Sequence, residues 1–396
     1  MERIIMHIDV NNAFLSWTAL ELLKQGYKED IRYIEAVIGG DESRRAGIVL
    51  AKSMPAKKKG VVTAETIYSA KRKCPNLQIF PPTHEAYKIN SNKLFNLLRT
   101  YTPDIEIASI DECYLDYTKV KNMYGDEKQF AYALKERIKN ELGFTVNIGI
   151  ANNKLCAKMA SDFSKPDKIH TLYKNEIKEK MYPLPINDLF TVGKKTSEKL
   201  ENIGIKTIGD LAKQDPYNLR KIFKNQASHL VEIANGIDEA EVNPNEVEAK
   251  GISNELTLGK DVTTKHEIYE VLSTLSEMVS KRIRKENKYA GVICVILKDN
   301  KFKRFSHQKK LKNPVSSYLD IFNHSKEILN EFYENQNIRL VGIRLDDLKE
   351  EKIYQTSLFE NNKEKEEKLE KLMDEINDKF GKVVLKRASF IDKPKK

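Results

Sequence analysis

The sequence predicts an α+β chain of several domains, and three observations carry that prediction. Two stretches, one ending near residue 162 and one covering 252–347, each run β-α-β-β-α-β once residues 12–78 are set aside from the first as an insertion. Between them, residues 183–238 read as helices joined by short loops. The length of 396 residues accommodates two to four domains at roughly 100–200 residues each.

Residues 3–10 read as a buried strand, Ile4, Ile5, Met6, His7 and Ile8 leading to Asp9. Asn11 to Lys24 then carries Phe14, Trp17, Leu20 and Leu23 at helical spacing. Strand-like segments follow at 32–38 and 47–51, then the lysine-rich Ala56-Lys57-Lys58-Lys59-Gly60 and a helix near 65–74. A long helix from His84 to about Tyr101 precedes strands near 104–109 and 112–117, a helix near 127–142, a strand at 144–150 and a helix at 153–162. This order predicts a ferredoxin-like sheet with helices on one face. In such a sheet the first strand neighbours the hairpin 104–117, which brings Asp9 to Asp111 and Glu112.

Thr191-Val192-Gly193-Lys194-Lys195 is a tight turn between helices, and Gly204 begins a similar one. Helix-hairpin-helix units use such turns to aim backbone N–H groups at a phosphate. A plain helical turn is the alternative, against which Lys194 and Lys195 weigh. Residues 239–250 are polar and aperiodic, a linker. Thr264 and Glu267 form a capping box for a helix to about Arg284. Strands 290–298 and 302–308 make a hairpin around Asp299-Asn300, decorated by Lys298, Lys301, Lys303, Arg304, Lys309 and Lys310. That face is either a solvated edge or a track for phosphates. Asn313-Pro314 is expected to open the next helix, with Pro at its first position. In the charge-rich segment 360–396, Leu369, Leu372, Met373, Ile376 and Phe380 line one side of an amphipathic helix closed by Gly381, expected to pack on the body.

Composition narrows the class. Hydrophobic residues make up 40%, enough for packed cores. No run of 18 or more apolar residues predicts a membrane span, and the N-terminus lacks a secretory pattern. Cys74, Cys113, Cys156 and Cys294 are far apart, which fits a reducing cytosol and excludes a zinc ribbon or disulfide framework. The net charge of +10 points to a polyanionic partner.

The chemistry concentrates in His7-Ile8-Asp9-Val10 and Ser109-Ile110-Asp111-Glu112. Both segments end in carboxylates where a strand emerges at a sheet edge. Three carboxylates gathered there repel one another and shift one another's pKa, so cations must sit among them. Oxygen ligands suit Mg²⁺, and two such ions roughly 3.5–4 Å apart serve in-line phosphoryl transfer. The plain alternative is surface acids at strand ends.

Taken together these residues resemble the Y-family DNA polymerases, lesion-bypass enzymes of the DinB/UmuC type. The resemblance rests on His7-Ile-Asp-Val-Asn-Asn-Ala-Phe14, Ser109-Ile-Asp-Glu-Cys-Tyr-Leu-Asp116, Asn147-Ile-Gly-Ile-Ala-Asn-Asn-Lys-Leu-Cys-Ala-Lys-Met-Ala-Ser-Asp162 and Ser164-Lys165-Pro166, in the family's order, and spans the chain to about residue 347. It implies a right-hand polymerase with a ferredoxin-like palm (1–11 and 79–172), inserted fingers (12–78), a helical thumb with helix-hairpin-helix turns (173–238), a linker (239–250), a βαββαβ little finger (251–347) and a C-terminal tail (348–396). It also implies that Asp9, Asp111, Glu112 and the Val10 carbonyl hold two Mg²⁺ ions. Asn11, Asn12, Ala13 and Phe14 would line the nucleotide, with Phe14 as the steric gate beneath the sugar. Lys165 and Lys57 would meet the triphosphate, and Gly193, Lys194, Lys195, Lys301, Lys303 and Arg304 the DNA. The family often carries Tyr and Arg in the fingers where this chain has Met54 and Lys57, which loosens the expected grip on nucleotide. Ile48 stands where many relatives have a small residue above the templating base.

Tyr354-Gln-Thr-Ser-Leu-Phe359 looks like a bacterial sliding-clamp-binding peptide, with Gln355, Leu358 and Phe359 as its contacts. The expected activity is template-directed, low-fidelity addition of deoxynucleoside triphosphates to primer-template DNA without proofreading, by a cytoplasmic monomer. Two rivals remain: a palm-type nucleotidyl cyclase and a non-catalytic DNA-binding repair factor.

Overall fold

The computed structural model describes residues 2–41, 47–245, 248–350, 363–380 and 384–385. The fold divides into two units, one holding residues up to 42 and 47–247, the other the chain from 248 onward.

In chain order the first unit carries β1 (Ile5–Val10), α1 (Ala13–Lys24), β2 (Ala36–Gly39), β3 (Val49–Lys52), α2 (Met54–Lys58), α3 (Ile67–Lys73), β4 (Gln78–Phe80), α4 (His84–Arg99), β5 (Ile105–Ile107), β6 (Glu112–Asp116), α5 (Lys121–Tyr124), α6 (Glu127–Leu142), β7 (Val146–Ala151), α7 (Lys154–Asp162) and β8 (Ile169–Leu172). The main sheet has the order β5-β6-β1-β7-β8. Its first four strands follow the ferredoxin-like arrangement, with β1 antiparallel to both β6 and β7. β8, not expected from sequence, adds a parallel strand beside β7.

Alternation along β1 decides what lies on each side. Met6, Ile8 and Val10 join a core with Trp17 of α1, Leu94 and Leu98 of α4, and Leu134 and Ile138 of α6. Ile5 turns the other way, into a second core with Leu155, Cys156 and Met159 of α7. The expectation of helices on one face is therefore corrected: α7 covers the opposite face. Gly149 on β7 permits this, since a Cβ there would run into the Ala157 carbonyl.

The inserted segment forms its own small sheet, β3-β2-β4. β4 escaped the sequence reading because three residues are too few for a period to show. It moves the end of the insertion from residue 78 to at least Phe80. α2, five residues long, likewise shows in the sequence only as a lysine-rich stretch. It is a helical turn capped by Ser53, whose hydroxyl accepts from the Ala56 N–H, with Pro55 in its first turn.

Short helices follow: α8 (Ile177–Lys180), α9 (Lys194–Glu201), α10 (Ile208–Ala212), α11 (Pro216–Phe223) and α12 (Gln226–Ala234). Their apolar sides continue the α7 core through Met181, Leu200, Ile208 and Leu230. Beyond α12 the chain is irregular but tied down. The Arg3 guanidinium donates to the carbonyls of Asp238, Glu239 and Ala240, and the Asn243 N–H donates to Glu106.

The second unit runs β9 (Gly251–Val262), α13 (Lys265–Lys285), β10 (Tyr289–Asp299), β11 (Arg304–Val315), α14 (Tyr318–Phe332), β12 (Ile338–Lys349) and α15 (Lys363–Lys379). The Thr264/Glu267 capping box of α13 is present as expected. The helix expected to open at Asn313-Pro314 does not. β11 continues to Val315, and Ser317 caps α14 instead, accepting from the Asp320 N–H. Proline is tolerated because β11 is an edge strand of the order β11-β10-β12-β9.

α15 packs on the second unit, but its most buried contact is made by an acid, and of its apolar side only Met373 and Ile376 are half-buried. Glu370 is 2% exposed and pairs with Arg284 at 2.6 Å, while Asp374 reaches Arg284 and Asp378 reaches Lys281. Leu369, Leu372 and Phe380 lie more than half exposed. Gly381 and the segment with Gln355, Leu358 and Phe359 lie outside the described residues.

Candidate active site

Strand register assembles the site. In the β1–β6 pairing Asp9 stands opposite Glu112, and in the β1–β7 pairing it stands opposite Asn147. One row further, His7 lies between Tyr114 and Gly149. Directly opposed residues of antiparallel strands share a face, so Glu112, Asp9 and Asn147 point the same way. Asp111 ends the turn before β6, and its carbonyl accepts from the Val10 N–H at 3.0 Å.

α7 lies over these rows and supplies Lys158, and the loop that follows it supplies Lys165. Lys158 Nζ is 2.6 Å from Glu112 Oε2 and 3.4 Å from Asp9 Oδ2, and Lys165 Nζ is 2.9 Å from Asp9 Oδ1 and 2.8 Å from Asp162 Oδ1. Burial opposes the charge on both lysines, yet the carboxylates prevail: Glu112, Asp162 and Asp9 raise Lys158, and Asp9 and Asp162 raise Lys165. The contact with His7, aided by Lys158, brings the Glu112 carboxyl down to about 2 against burial. Asp111 goes the other way. Burial raises it, the charges of Asp9 and Glu112 raise it further, and the Ser109 hydroxyl at 2.6 Å opposes them.

His7 is fully buried beneath this layer. Nδ1 lies 2.8 Å from Ser161 Oγ, and Nε2 lies 3.1 Å from Glu112 Oε2, near but off the axis of a straight hydrogen bond. Burial lowers its pKa, favouring the neutral ring. His7, Lys158 and Ser161 were not singled out from sequence. The signal is available in part: His7 precedes Asp9 by two, hence shares its strand face, and 158, 161 and 162 follow helical spacing on α7.

The donor chemistry fits a hard cation, being carboxylate oxygens beside a strand-end carbonyl. Among the described residues no group of three or more His, Cys, Asp and Glu side chains is drawn close enough to hold a metal ion as it stands. The positive charge among the acids is the pair of lysine ammonium groups.

The remaining predicted residues surround this cluster unequally. Asn11 is buried and its side chain is spent inside the sheet, on Asn147, Thr145 and the Asp167 N–H. Asn12 takes the left-handed conformation at φ 51° and donates to the Lys52 carbonyl at 2.7 Å, joining the main sheet to the insertion. Ala13 is buried at the start of α1. The Phe14 ring is stacked on Tyr87, centroids 4.6 Å apart and 9° from parallel. Lys57 lies exposed in the last turn of α2, while Met54 and Ile48 are both exposed. Lys52, another residue not singled out, has its pKa lowered by burial and by the nearby Lys57.

Gly193 caps α9, with Lys194 and Lys195 exposed in its first turn after a left-handed Thr191 at φ 75°. Lys301 and Lys303 are exposed at the β10–β11 turn. Arg304 is instead paired with Glu255, whose side chain crosses the sheet over Gly342, where a Cβ would obstruct it. No helix among the described residues is long and apolar enough to cross a membrane.

Comparison with known proteins bears on this geometry. The impB/mucB/samB family matches residues 8–162, the C-terminal domain of that family residues 249–358, and the IMS family HHH motif residues 174–205. DNA polymerase IV of Clostridium acetobutylicum is 48% identical over 398 residues, covering 100% of both chains. DNA polymerase IV 1 of Bacillus subtilis is 33% identical, covering 99% of this chain and 94% of its own. A solved Y-family DNA polymerase chimera superposes with a TM-score of 0.76 at 26% identity, over 87% of this chain and 99% of its own.

Proposed function

The chain belongs to the impB/mucB/samB family, the Y-family DNA polymerases, and from that premise we propose that it performs lesion-bypass DNA synthesis with Asp9, Asp111 and Glu112 as its metal-binding carboxylates. It is a DNA-directed DNA polymerase, a metal-dependent nucleotidyltransferase acting on DNA and nucleotides. The observation that carries the residue assignment is the opposition of Asp9 and Glu112 across β1 and β6, with Asp111 beside them.

Asp9, Asp111, Glu112 and the Val10 carbonyl would hold two Mg²⁺ ions. When bound, such ions neutralise triphosphate charge and favour the ionised primer 3′-hydroxyl. The chain's own groups do the positioning. Lys165, at 38% exposure, is accessible to triphosphate oxygens, whereas Lys158, at 13%, balances Glu112 from below. Lys57 and Lys52 add positive charge from the insertion. Phe14, stiffened by Tyr87, closes the space beneath the sugar. Pyrophosphate leaves as the primer grows.

The domain reading follows the same lines: palm sheet, fingers insertion, thumb helices and little finger. Gly193, Lys194, Lys195, Lys301 and Lys303 would meet DNA phosphates, Arg304 less so because Glu255 holds it. The sliding clamp would take Gln355, Leu358 and Phe359, and the working state would be a cytoplasmic monomer. A nucleotidyl cyclase would need neither the helix-hairpin-helix segment nor the second unit, and a non-catalytic DNA-binding factor would need no trio of acids.

The test is primer extension by Asp111→Asn and Glu112→Gln. Extension should fall to background while primer-template affinity holds, because the phosphate contacts lie elsewhere. Near-normal extension by either variant would remove the site.

A further inference from the structure

The β10–β11 hairpin turns through Asn300–Lys303, and the turn is secured from several sides. The Asp299 N–H donates to the Lys303 carbonyl at 3.0 Å and the Phe302 N–H to the Asp299 carbonyl at 3.1 Å. Asp299 Oδ1 accepts from the N–H groups of Lys301 and Lys303 at 2.9 and 2.8 Å, and the Asn300 N–H reaches the Asn337 carbonyl at 3.1 Å. An apex held this way is ordered before any ligand arrives, so little further ordering is required on binding.

The residue displayed there is unusual for its place. Phe302 has φ 66°, a left-handed conformation that suits glycine or asparagine and that a bulky side chain rarely takes. Phe302 is 61% exposed, so no core burial offsets that conformation. Two cations stand by the ring, Lys298 Nζ and Arg339 Cζ, each 5.0 Å from its centroid. Lys301 and Lys303 flank it in the turn, and Lys303 Nζ lies 4.9 Å from the Phe305 ring.

We propose that this apex is a nucleobase-stacking site: Phe302 takes one unpaired base of a DNA strand, and Lys298, Lys301, Lys303 and Arg339 take the phosphates beside it. An aromatic face set among cations is the device by which proteins hold single-stranded nucleic acid, since every base has a π-face and every linkage a negative charge. A track for duplex phosphates would use the lysines and gain nothing from Phe302. An acidic peptide would pair with the lysines and leave the ring in water. The proposal rests on the polymerase reading at one point, the choice of DNA, because a template ahead of its primer is an unpaired strand.

The experiment titrates the full chain with a thymine oligodeoxynucleotide carrying one 2-aminopurine, and separately with a blunt duplex. Wild-type protein should quench the 2-aminopurine. Phe302→Ala should lose the quenching and bind the single strand roughly 5- to 150-fold more weakly, the loss of one base stack, with duplex affinity unchanged. Phe302→Trp should restore both quenching and affinity. Phe302→Asn, which suits the left-handed turn, should behave as Phe302→Ala, so that the loss tracks the ring and not the turn. Unchanged single-strand affinity in the Ala and Asn variants overturns the proposal, as does an equal loss on single strand and duplex, which would mean phosphate contact alone. Primer extension by the wild-type chain tests the polymerase reading independently.

Discussion

Asp9 and Glu112 meet because each ends or begins a strand and the two strands pair in a register that sets them opposite. Each acid was legible from its place after an apolar run. Lys165 was legible through the family resemblance, but Lys158 was not, for it acts only because α7 crosses β7 at Gly149. Phe14 shows the same division. Helical spacing put it on α1, but only the fold stacks it on Tyr87, whose hydroxyl lies 2.8 Å from Thr18. Phe14→Ala should therefore raise ribonucleotide incorporation relative to deoxynucleotide, read as the ratio of extension efficiencies; an unchanged ratio would remove Phe14 from the gate. Glu65 offers a residue-level pH prediction away from the acids. Burial works against its charge, but the Lys73 ammonium, the Val62 N–H and the Ser69 hydroxyl bring it from 4.5 down to about 2. The unfolded chain then binds more protons between those values, so this stabilisation is full above 4.5 and is lost as pH falls through about 2. Glu65→Gln should be less stable at neutral pH and should lessen the acid dependence of the melting temperature in that window. Identical acid slopes for the two proteins would count against the carboxylate.

Elements match their sequence pattern where period and cap agree, and depart from it where an interaction from elsewhere decides. The capping box of α13 and the limits of α6 followed from local residues. Pro314 misled because proline opens helices as readily as it occupies edge strands, and edge status is a property of the sheet. α15 buries only part of its apolar stripe, at Met373 and Ile376, because the surface under it presents Arg284 and Lys281, which select the acids Glu370, Asp374 and Asp378. The buried member of that set should dominate. Glu370→Ala leaves Arg284, at 5% exposure, with Asp374 as its remaining carboxylate, and should lower the stability of the second unit by about 1–3 kcal/mol in urea unfolding. A loss under about 1 kcal/mol would assign the docking of α15 to other contacts.

At the scale of the whole molecule, two stretches with one element order adopt two pairings. β1 is central in the first sheet, whereas β9, its counterpart, is an edge in the second. The DNA polymerases to which the chain is similar and its +10 charge agree on DNA as the polyanion. The clamp proposal belongs here too, since it concerns how long the whole enzyme stays on its template. Replacing Leu358 and Phe359 together by Ala should shorten products only when the clamp is present; an equal loss without the clamp would point to damage in the enzyme itself. What the chain determined unaided was the run of helices and strands, the three acids and the turn of the thumb, because these depend on short stretches whose period and end residues suffice. Tertiary structure alone decided which strand is an edge, which ammonium answers which carboxylate and which stripe of α15 faces inward. Those outcomes depend on close contacts between residues distant in the chain, and no local pattern encodes what will lie on the other side.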